Sequence, residues 1–178
     1  MKAELITVGN EIALGQIANT NGQFLADALT RYDITAPYQV TVADDPELIS
    51  SAVKAAHARC QLVCVLGGLG PTDDDKTLAA TAKGLGVGIT IDQQYWNQLS
   101  QELTRQGRPI APEVKREAAI LAGATPLSNP RGEALGSWYS DDQGVVAVLP
   151  GPPVELKAMV TAELLPKIAQ KFGNGRSE

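Results

Sequence analysis

The sequence lacks the side chains from which most zinc sites and nucleophilic hydrolases are built. Its 178 residues include two cysteines and a single histidine, so neither a cysteine–histidine metal cluster nor a serine–histidine pair is available. Cys60 and Cys64 lie around the junction of a helix and a strand and cannot share one disulfide or metal loop, so we expect buried, inert thiols. His57 falls in an alanine-rich helical stretch, and we expect it to be an ordinary residue of the helix surface.

Long apolar runs are also missing. The first residues, MKAELITVG, have a short apolar run and an early acid, Glu4, and do not have the pattern of a signal peptide. No later run is long enough to span a bilayer. We therefore expect a soluble, cytoplasmic protein without a membrane partner.

Basic residues are outnumbered by acidic ones. Fifteen lysines and arginines stand against twenty aspartates and glutamates, which gives a net charge of −5. A protein that binds by neutralising a phosphate backbone needs the opposite sign. We therefore expect no nucleic-acid partner.

What the sequence does contain is a regular alternation of β-rich and helical runs. The runs AELITV, ITAPYQVTV and LVCVL alternate with helices predicted around residues 19–31, 46–59 and 74–85. This rhythm is typical of βαβ units, with a largely parallel sheet between layers of helices. Asp45 and Asp92 are predicted to cap helices, and Gly84 and Gly86 mark the end of the helix before Asp92.

The second half of the chain carries weaker signals. Residues 105–134 read as an exposed excursion of loops around a short helix over residues 113–121. LGSWYS and VVAVLP, separated by DDQG, predict a β-hairpin, and a final helix is predicted to begin near residues 152–154. Because no repeat or linker divides the chain, we predict a single α/β domain over residues 1–178.

Three of the predicted strands run directly into glycine turns. These are ITVGNE at residues 6–11, VLGGLGPTDDD at 65–75 and VLPGPPVE at 148–155. In parallel α/β sheets, ligands bind beyond the carboxyl ends of the strands, where such turns meet. A single turn of this kind can simply end a strand, but three predict backbone amides that converge on a phosphate or carboxylate.

The second turn is followed by three aspartates, Asp73, Asp74 and Asp75. They could simply occupy the first turn of a helix, with Thr72 as a possible cap, because negative charge is favourable there. One acid would meet that need, whereas three beside a phosphate indicate a divalent cation such as Mg²⁺ or Mn²⁺. The chemistry would then be hydrolysis of a phosphoanhydride by metal-bound water, with an aspartate taking the proton.

Further acids could join the same edge of the sheet. Asp44 and Asp45 follow the second strand, and Glu11 lies in the first turn. For Asp45, a role as helix cap is as good an interpretation as a functional one.

The motifs GNEIALGQIANTNGQFLADAL, TVADD, GGLGPTDDDKT and LPGPPVELKAM resemble, in order and spacing, those of the competence/damage-inducible CinA family. The resemblance is to the amino-terminal domain of that family, which is similar to the molybdopterin-binding MoaB/MogA domain. It implies a three-layer α/β/α sandwich with a mostly parallel mixed sheet, usually in a homo-oligomer such as a dimer or trimer. It also implies a metal- and K⁺-dependent ADP-ribose pyrophosphatase that releases AMP and ribose 5-phosphate, with Mg²⁺, Mn²⁺ or Co²⁺ as the metal.

Motif positions and turn positions together define the predicted site. The candidate catalytic residues are Asp45, Asp74 and Asp75, and the candidate metal ligands are Glu11, Asp44, Asp74 and Asp75. The candidate substrate-binding residues are Gly9, Asn21, Gly67, Gly68, Gly70, Thr72, Thr77, Gly151 and Glu155.

The chain departs from the family pattern at several positions. Asn10 stands where the family usually has aspartate, Glu117 stands where glutamine is common, and Arg131 and Glu133 fall in the loop expected to cover the substrate. Metal affinity could be lower and specificity could be shifted. The carboxy-terminal deamidase domain of the family is not part of this sequence, so we expect no deamidase activity.

Three functions remain open at this point. The first is a nucleotide pyrophosphatase, and the second is a module that binds a molybdopterin or pterin nucleotide without cutting it. The third is an interaction protein with a decayed site, suggested by Asn10 and Glu133.

Overall fold

The computed structural model describes residues 1–72 and 75–173. Eight strands are formed in these ranges: β1 (Lys2–Val8), β2 (Thr35–Val42), β3 (Leu62–Leu66), β4 (Ile89–Ile91), β5 (Ala119–Leu121), β6 (Thr125–Leu127), β7 (Gly136–Ser140) and β8 (Val145–Leu149). Six of them form the main sheet in the order β2-β1-β3-β8-β7-β6, and β4 and β5 form a small separate ladder.

The main sheet is mostly parallel, as the sequence predicts. β2, β1, β3 and β8 run parallel to one another, whereas β7 is antiparallel to both of its neighbours, β8 and β6. The predicted hairpin is confirmed, since β7 pairs with β8 across the turn at residues 141–144. The carboxyl ends of β1, β3 and β8 therefore lie side by side at one edge of the sheet.

Helices cover both faces of this sheet. They are α1 (Asn10–Ala13), α2 (Thr20–Thr30), α3 (Pro46–His57), α4 (Thr77–Leu85), α5 (Gln93–Arg105), a 3₁₀ helix (Pro112–Ala118), α6 (Pro153–Met159) and α7 (Leu165–Phe172), with a π-helical turn (Val160–Leu164) between the last two. One core packs α2, α6 and α7 against the sheet, and the other packs α3 and α4 against its opposite face. All five residues of β3 are buried because this central strand is covered on both sides. The three-layer sandwich is confirmed.

The predicted helix caps are also confirmed. The Asp45 carboxylate accepts hydrogen bonds from the amides of Glu47 and Leu48 at 2.9 and 3.0 Å, with proline in the first helical position. Asp92 accepts from the amide of Tyr95 at 2.8 Å. These bonds satisfy amides that a helix leaves free at its start.

The prediction for residues 105–134 is wrong in part. The helix expected over 113–121 is a 3₁₀ helix that ends at Ala118, and Ala119–Leu121 is the buried strand β5, paired with β4. A short apolar run has no periodicity that separates a strand from a buried helix. This part of the excursion is therefore packed into the protein.

The prediction for His57 is wrong as well. Its side chain is buried, and its Nε2 lies 2.9 Å from Oδ2 of Asp141. His57 is four residues after the fully buried Val53 on α3, and residues with this spacing share one face of a helix. Partial burial opposes ionisation of Asp141, but hydrogen bonds from His57 and two backbone amides outweigh it and lower the pKa of that carboxyl.

The two thiols are free and buried, as predicted. Burial raises the pKa of Cys64 to about 12, so its thiol is not reactive at neutral pH. Within the described ranges, each helix is too short or too polar to traverse a lipid bilayer.

Candidate functional site

The three glycine turns touch one another through their main chains. The amide of Gly67 donates to the carbonyl of Leu149 at 3.0 Å. A Cβ atom on Gly67 would lie 2.7 Å from the carbonyl oxygen of Val8, and one on Gly151 would lie 3.3 Å from Cα of Gly67. The predicted convergence of these turns is thus confirmed, and at Gly67 it leaves no room for a side chain.

The second turn adopts a backbone path that favours glycine. Gly67 and Gly68 have φ values of 105° and 67°, in the region that side chains with a Cβ rarely adopt. The chain then folds back over Thr77, whose amide donates to the carbonyl of Gly68 at 3.3 Å. Thr77 is 1% exposed and lies beneath the loop, so it supports the turn and does not line a cavity.

This path leaves loop amides available to a ligand. The N–H groups of Gly68, Leu69 and Gly70 donate to no acceptor in the described part of the chain. Free amides in a tight turn form a concave site for anions. The loop can therefore hold a phosphate by its main chain.

Asp75 is anchored to the same loop. Its Oδ2 accepts hydrogen bonds from the amide and the hydroxyl of Thr72, at 3.0 and 2.6 Å. Thr72 is therefore not a helix cap, and α4 begins five residues later, at Thr77. Asp73 and Asp74 lie outside the described residues, so the catalytic and metal-binding roles of Asp74 stay predictions.

Two cavities meet at these turns. The small cavity, of about 250 Å³, brings together most of the predicted residues: Gly9, Glu11, Asn21, Asp44, Gly67, Gly68, Asp75 and Gly151. The large cavity, of about 430 Å³, is lined by the predicted residues Gly68, Gly70, Asp75, Gly151 and Glu155, and by Arg108, Glu117 and Glu133. Gly68, Asp75 and Gly151 line both, so one elongated ligand can occupy the two cavities with its middle at the glycine turns.

One side chain holds the third turn, and another holds the helix that follows it. Nδ2 of Asn21 donates to the carbonyl of Gly151 at 2.7 Å, while its Oδ1 is buried without a partner in the described residues. Glu155 accepts from Nδ2 of Asn129 at 2.8 Å and packs against Gly132. Asn21 therefore positions the third turn, Glu155 joins the start of α6 to the loop after β6, and each lines a cavity.

Asp45 is not brought into the site. It lines neither cavity, and its carboxylate is engaged as the cap of α3. Of its two alternative interpretations, the structure favours the cap. Its neighbour Asp44, in contrast, lines the small cavity.

The small cavity is acidic. Among its described lining residues, Glu11, Asp44 and Asp75 carry carboxylates and none carries a basic group. No group of three described carboxylates, histidines or cysteines is clustered closely enough to form a metal cage. Mg²⁺, however, is usually held by one or two carboxylates together with substrate phosphates. The residues present fit an ion shared with a phosphate ligand, not a closed protein site.

The large cavity contains acids to which no role was assigned from sequence. Glu117 is 7% exposed, and burial, followed by the nearby carboxylates of Glu133, Asp75 and Glu155, raises its pKa to about 7. Arg108 pairs with Glu133. The sequence marked Glu117 and Glu133 only as departures from a family pattern, because their convergence depends on the fold. Arg131, the other departure in that loop, is exposed and lines neither cavity.

Comparison with known proteins places this arrangement in a family. Residues 4–170 match the family model described as a probable molybdopterin binding domain. A putative competence-damage inducible protein of Limosilactobacillus fermentum is 48% identical over 177 residues, covering 98% of this chain and 43% of the relative. Its counterpart in Limosilactobacillus reuteri is 46% identical over 172 residues, covering 97% of this chain and 41% of the relative. The chain thus spans less than half the length of these relatives.

Solved structures agree with these matches. The protein CinA of Thermoplasma acidophilum, whose function is described as unknown, superposes with a TM-score of 0.83 at 34% identity, covering 93% of this chain and 96% of that one. MoaB of Thermus thermophilus, a molybdopterin biosynthesis enzyme, superposes with a TM-score of 0.63 at 16% identity, covering 96% and 93%. The second likeness shows the shared fold alone.

Proposed function

Since the chain belongs to the CinA family and carries a probable molybdopterin binding domain, we propose that it is a nucleotide pyrophosphatase. It hydrolyses ADP-ribose or a related dinucleotide to AMP and a sugar phosphate. The observation that carries the proposal is the meeting of two cavities at main-chain glycine turns. A dinucleotide has the matching shape, with two bulky ends joined by a diphosphate.

The diphosphate lies at the glycine turns in this proposal. The free amides of Gly68, Leu69 and Gly70 hold its oxygens. The small cavity has three carboxylates and no basic group among its described lining residues, so a diphosphate enters it only together with a cation. A divalent ion, when bound, neutralises the phosphate oxygens and makes the phosphorus more reactive. Glu11, Asp44 and Asp75 are the described residues that would hold it, and K⁺ is a further proposed cofactor.

Hydrolysis requires water to attack one phosphorus while the bridging P–O bond breaks. Asp75 lies at the junction of the two cavities, and Thr72 fixes one of its carboxylate oxygens. The carboxylate is therefore oriented to accept the proton of the attacking water. AMP and the sugar phosphate are then free to leave through the two cavities.

The test is a hydrolysis screen with purified protein. With Mg²⁺, Mn²⁺ or Co²⁺ and K⁺, we expect AMP to be released from ADP-ribose, or from NADH or FAD. Asp75→Asn should reduce this rate by about 100-fold or more, whereas Asp142→Asn should not change it. Asp142 is an exposed acid in the turn at the opposite end of β8. Absence of AMP release from all three compounds would contradict the proposal.

A second candidate is a module that binds a pterin nucleotide without cleavage. It is favoured by the match of residues 4–170 to a probable molybdopterin binding domain. The same loop amides would hold the terminal phosphate of the pterin. Such a module should bind its ligand in the presence of EDTA, and Asp75→Asn should then leave affinity unchanged, whereas the pyrophosphatase requires a divalent ion.

A further inference from the structure

Glu117 lines the large cavity with a carboxyl oxygen that has no hydrogen-bond partner among the described residues. The residue is 7% exposed, and this oxygen, Oε2, is buried. A buried polar atom without a hydrogen bond is costly in free energy. A ligand in the cavity would satisfy it.

The surrounding charges restrict the chemistry of that ligand. Glu133, Glu155 and Asp75 also line the cavity, and the one cationic group among the described lining residues, Arg108, is paired with Glu133. Such a wall repels phosphate and attracts groups that donate hydrogen bonds, such as hydroxyls.

The environment of Glu117 is compatible with hydroxyl ligands in either protonation state of its carboxyl, because both states accept hydrogen bonds. Burial and the facing acids Glu133, Asp75 and Glu155 raise its pKa to about 7. The hydroxyl of Tyr95 is turned away, because it donates to the carbonyl of Glu133. A neutral carboxyl both donates and accepts, as a sugar hydroxyl does.

The walls also distinguish a sugar from a flat ring. No aromatic side chain is found among the described residues that line the large cavity, so a base or pterin would have no stacking partner there.

Resting on the function proposed above, we infer that the large cavity binds the sugar at one end of a sugar–diphosphate ligand, and that Glu117 is the residue that selects for it. The sugar hydroxyls contact Glu117 while the diphosphate lies at the glycine turns. Specificity at this end then depends on a hydrogen bond, which discriminates strongly against ligands that lack the hydroxyl.

The experiment compares two ligands that cannot be cleaved between the phosphates: the methylene-bridged analogues of ADP-ribose and of ADP. Binding to the full chain is measured by calorimetry with Mg²⁺. Wild type should bind the ADP-ribose analogue more tightly. Glu117→Leu should weaken the binding of that analogue about tenfold and leave the affinity for the ADP analogue unchanged. Glu117→Gln, which keeps the shape and both hydrogen-bonding senses, should stay within about twofold of wild type. Glu113→Gln, an exposed acid of the same 3₁₀ helix, is the matched control.

Two results would overturn the inference: no preference of wild type for the ADP-ribose analogue, or an equal loss for both ligands in Glu117→Leu. The first needs no variant and therefore holds even if Glu117→Leu does not fold. Failure of the proposed function is distinct. In that case, the protein binds the ADP-ribose analogue through Glu117 and yet releases no AMP from ADP-ribose. That result would support the sugar site and contradict the proposed pyrophosphatase activity.

Discussion

Asn10 and Asp44 exchange two hydrogen bonds at the edge of the small cavity. The amide of Asn10 donates to Oδ2 of Asp44, and the amide of Asp44 donates to Oδ1 of Asn10, each at 3.0 Å. The pair ties the first glycine turn to the loop after β2. It also engages one oxygen of a carboxylate that is a proposed metal ligand.

Asn10→Asp tests whether a metal ion binds beside this pair. A second carboxylate keeps the acceptor for the amide of Asp44 but places two negative charges close together. Without metal we expect a loss of stability of about 0.5–1 kcal/mol, which Mg²⁺ should restore as it binds between the acids. Urea unfolding with and without Mg²⁺ measures this, with the exposed Asn97→Asp on α5 as control. An Asn10→Asp protein that does not respond to Mg²⁺ would argue against a metal at this edge.

Asp45→Asn separates the two interpretations of that residue. Asparagine caps a helix about as well as aspartate, so stability should be unchanged, whereas Asp45→Ala should cost about 1 kcal/mol. Since Asp45 lines neither cavity, AMP release should be unchanged in Asp45→Asn. If activity fell while the unfolding midpoint stayed constant, the carboxylate would have a catalytic role after all.

Glu117→Gln should change how stability depends on pH. In the unfolded chain this carboxyl ionises near 4.5, but in the folded protein it keeps its proton until about pH 7. The folded state therefore binds the proton more tightly, and wild-type stability falls as pH rises from about 4.5 to 7. The variant has no titrating group at this position. Its free energy of unfolding, relative to that of wild type, should therefore rise by on the order of 1–3 kcal/mol over this range.

Urea unfolding at pH 4.5, 6 and 8 measures the difference between the two proteins, with Glu113→Gln as the exposed control. A difference between Glu117→Gln and wild type that stays constant across this range would show that the Glu117 carboxyl titrates normally.

Gly68→Ala tests the packing of the second turn. Gly68 and Gly123 both have positive φ, of 67° and 81°, so alanine at either position should cost about 1 kcal/mol in backbone strain. Only at Gly68 would the new Cβ overlap Oγ1 of Thr77, whereas at Gly123 it meets open space. We expect Gly68→Ala to cost about 1–3 kcal/mol more than Gly123→Ala, and Thr77→Ala to recover part of the difference. Equal losses would mean that the loop moves freely over Thr77.

A homo-oligomer, dimer or trimer, is expected in solution. Leu14 and Ile17, between α1 and α2, are 72% and 53% exposed, and large apolar side chains on a surface often mark an interface. Light scattering after size exclusion should show the oligomer for wild type and a smaller species for Leu14→Ser/Ile17→Ser. Leu48→Ser, on α3 and 52% exposed, is the control. A monomeric wild type would contradict the expectation.

The sequence predicted the sheet and its turns because both have local signals. Glycine fixes a backbone path by itself, and a capping aspartate such as Asp45 acts within three residues of its own position. The carboxyl ends of parallel strands then meet by topology alone, which is why Glu11, Asp75 and Gly151 could be assigned to one site, whereas Asn21 was assigned from the family resemblance.

What the sequence did not predict depends on contacts between distant segments. Glu117 and Glu133 converge with Glu155 only in the folded chain, where the amide of Leu135 donates to the carbonyl of Glu117 at 2.9 Å. The partner of the buried His57 is Asp141, in a turn 84 residues further along the chain. Neither relationship leaves a periodic or compositional trace in the chain.

The contact of Gly67 with Val8 and of Gly151 with Gly67 means that the floor of the cleft is made of peptide groups. Few substitutions are tolerated in such a floor, because a side chain introduced there would push against the neighbouring strand ends. Diversification must therefore happen on the walls, where Arg108, Glu117 and Glu133 can be exchanged one at a time. A lineage could therefore acquire a new ligand while the turns that we propose to bind phosphate stayed unchanged.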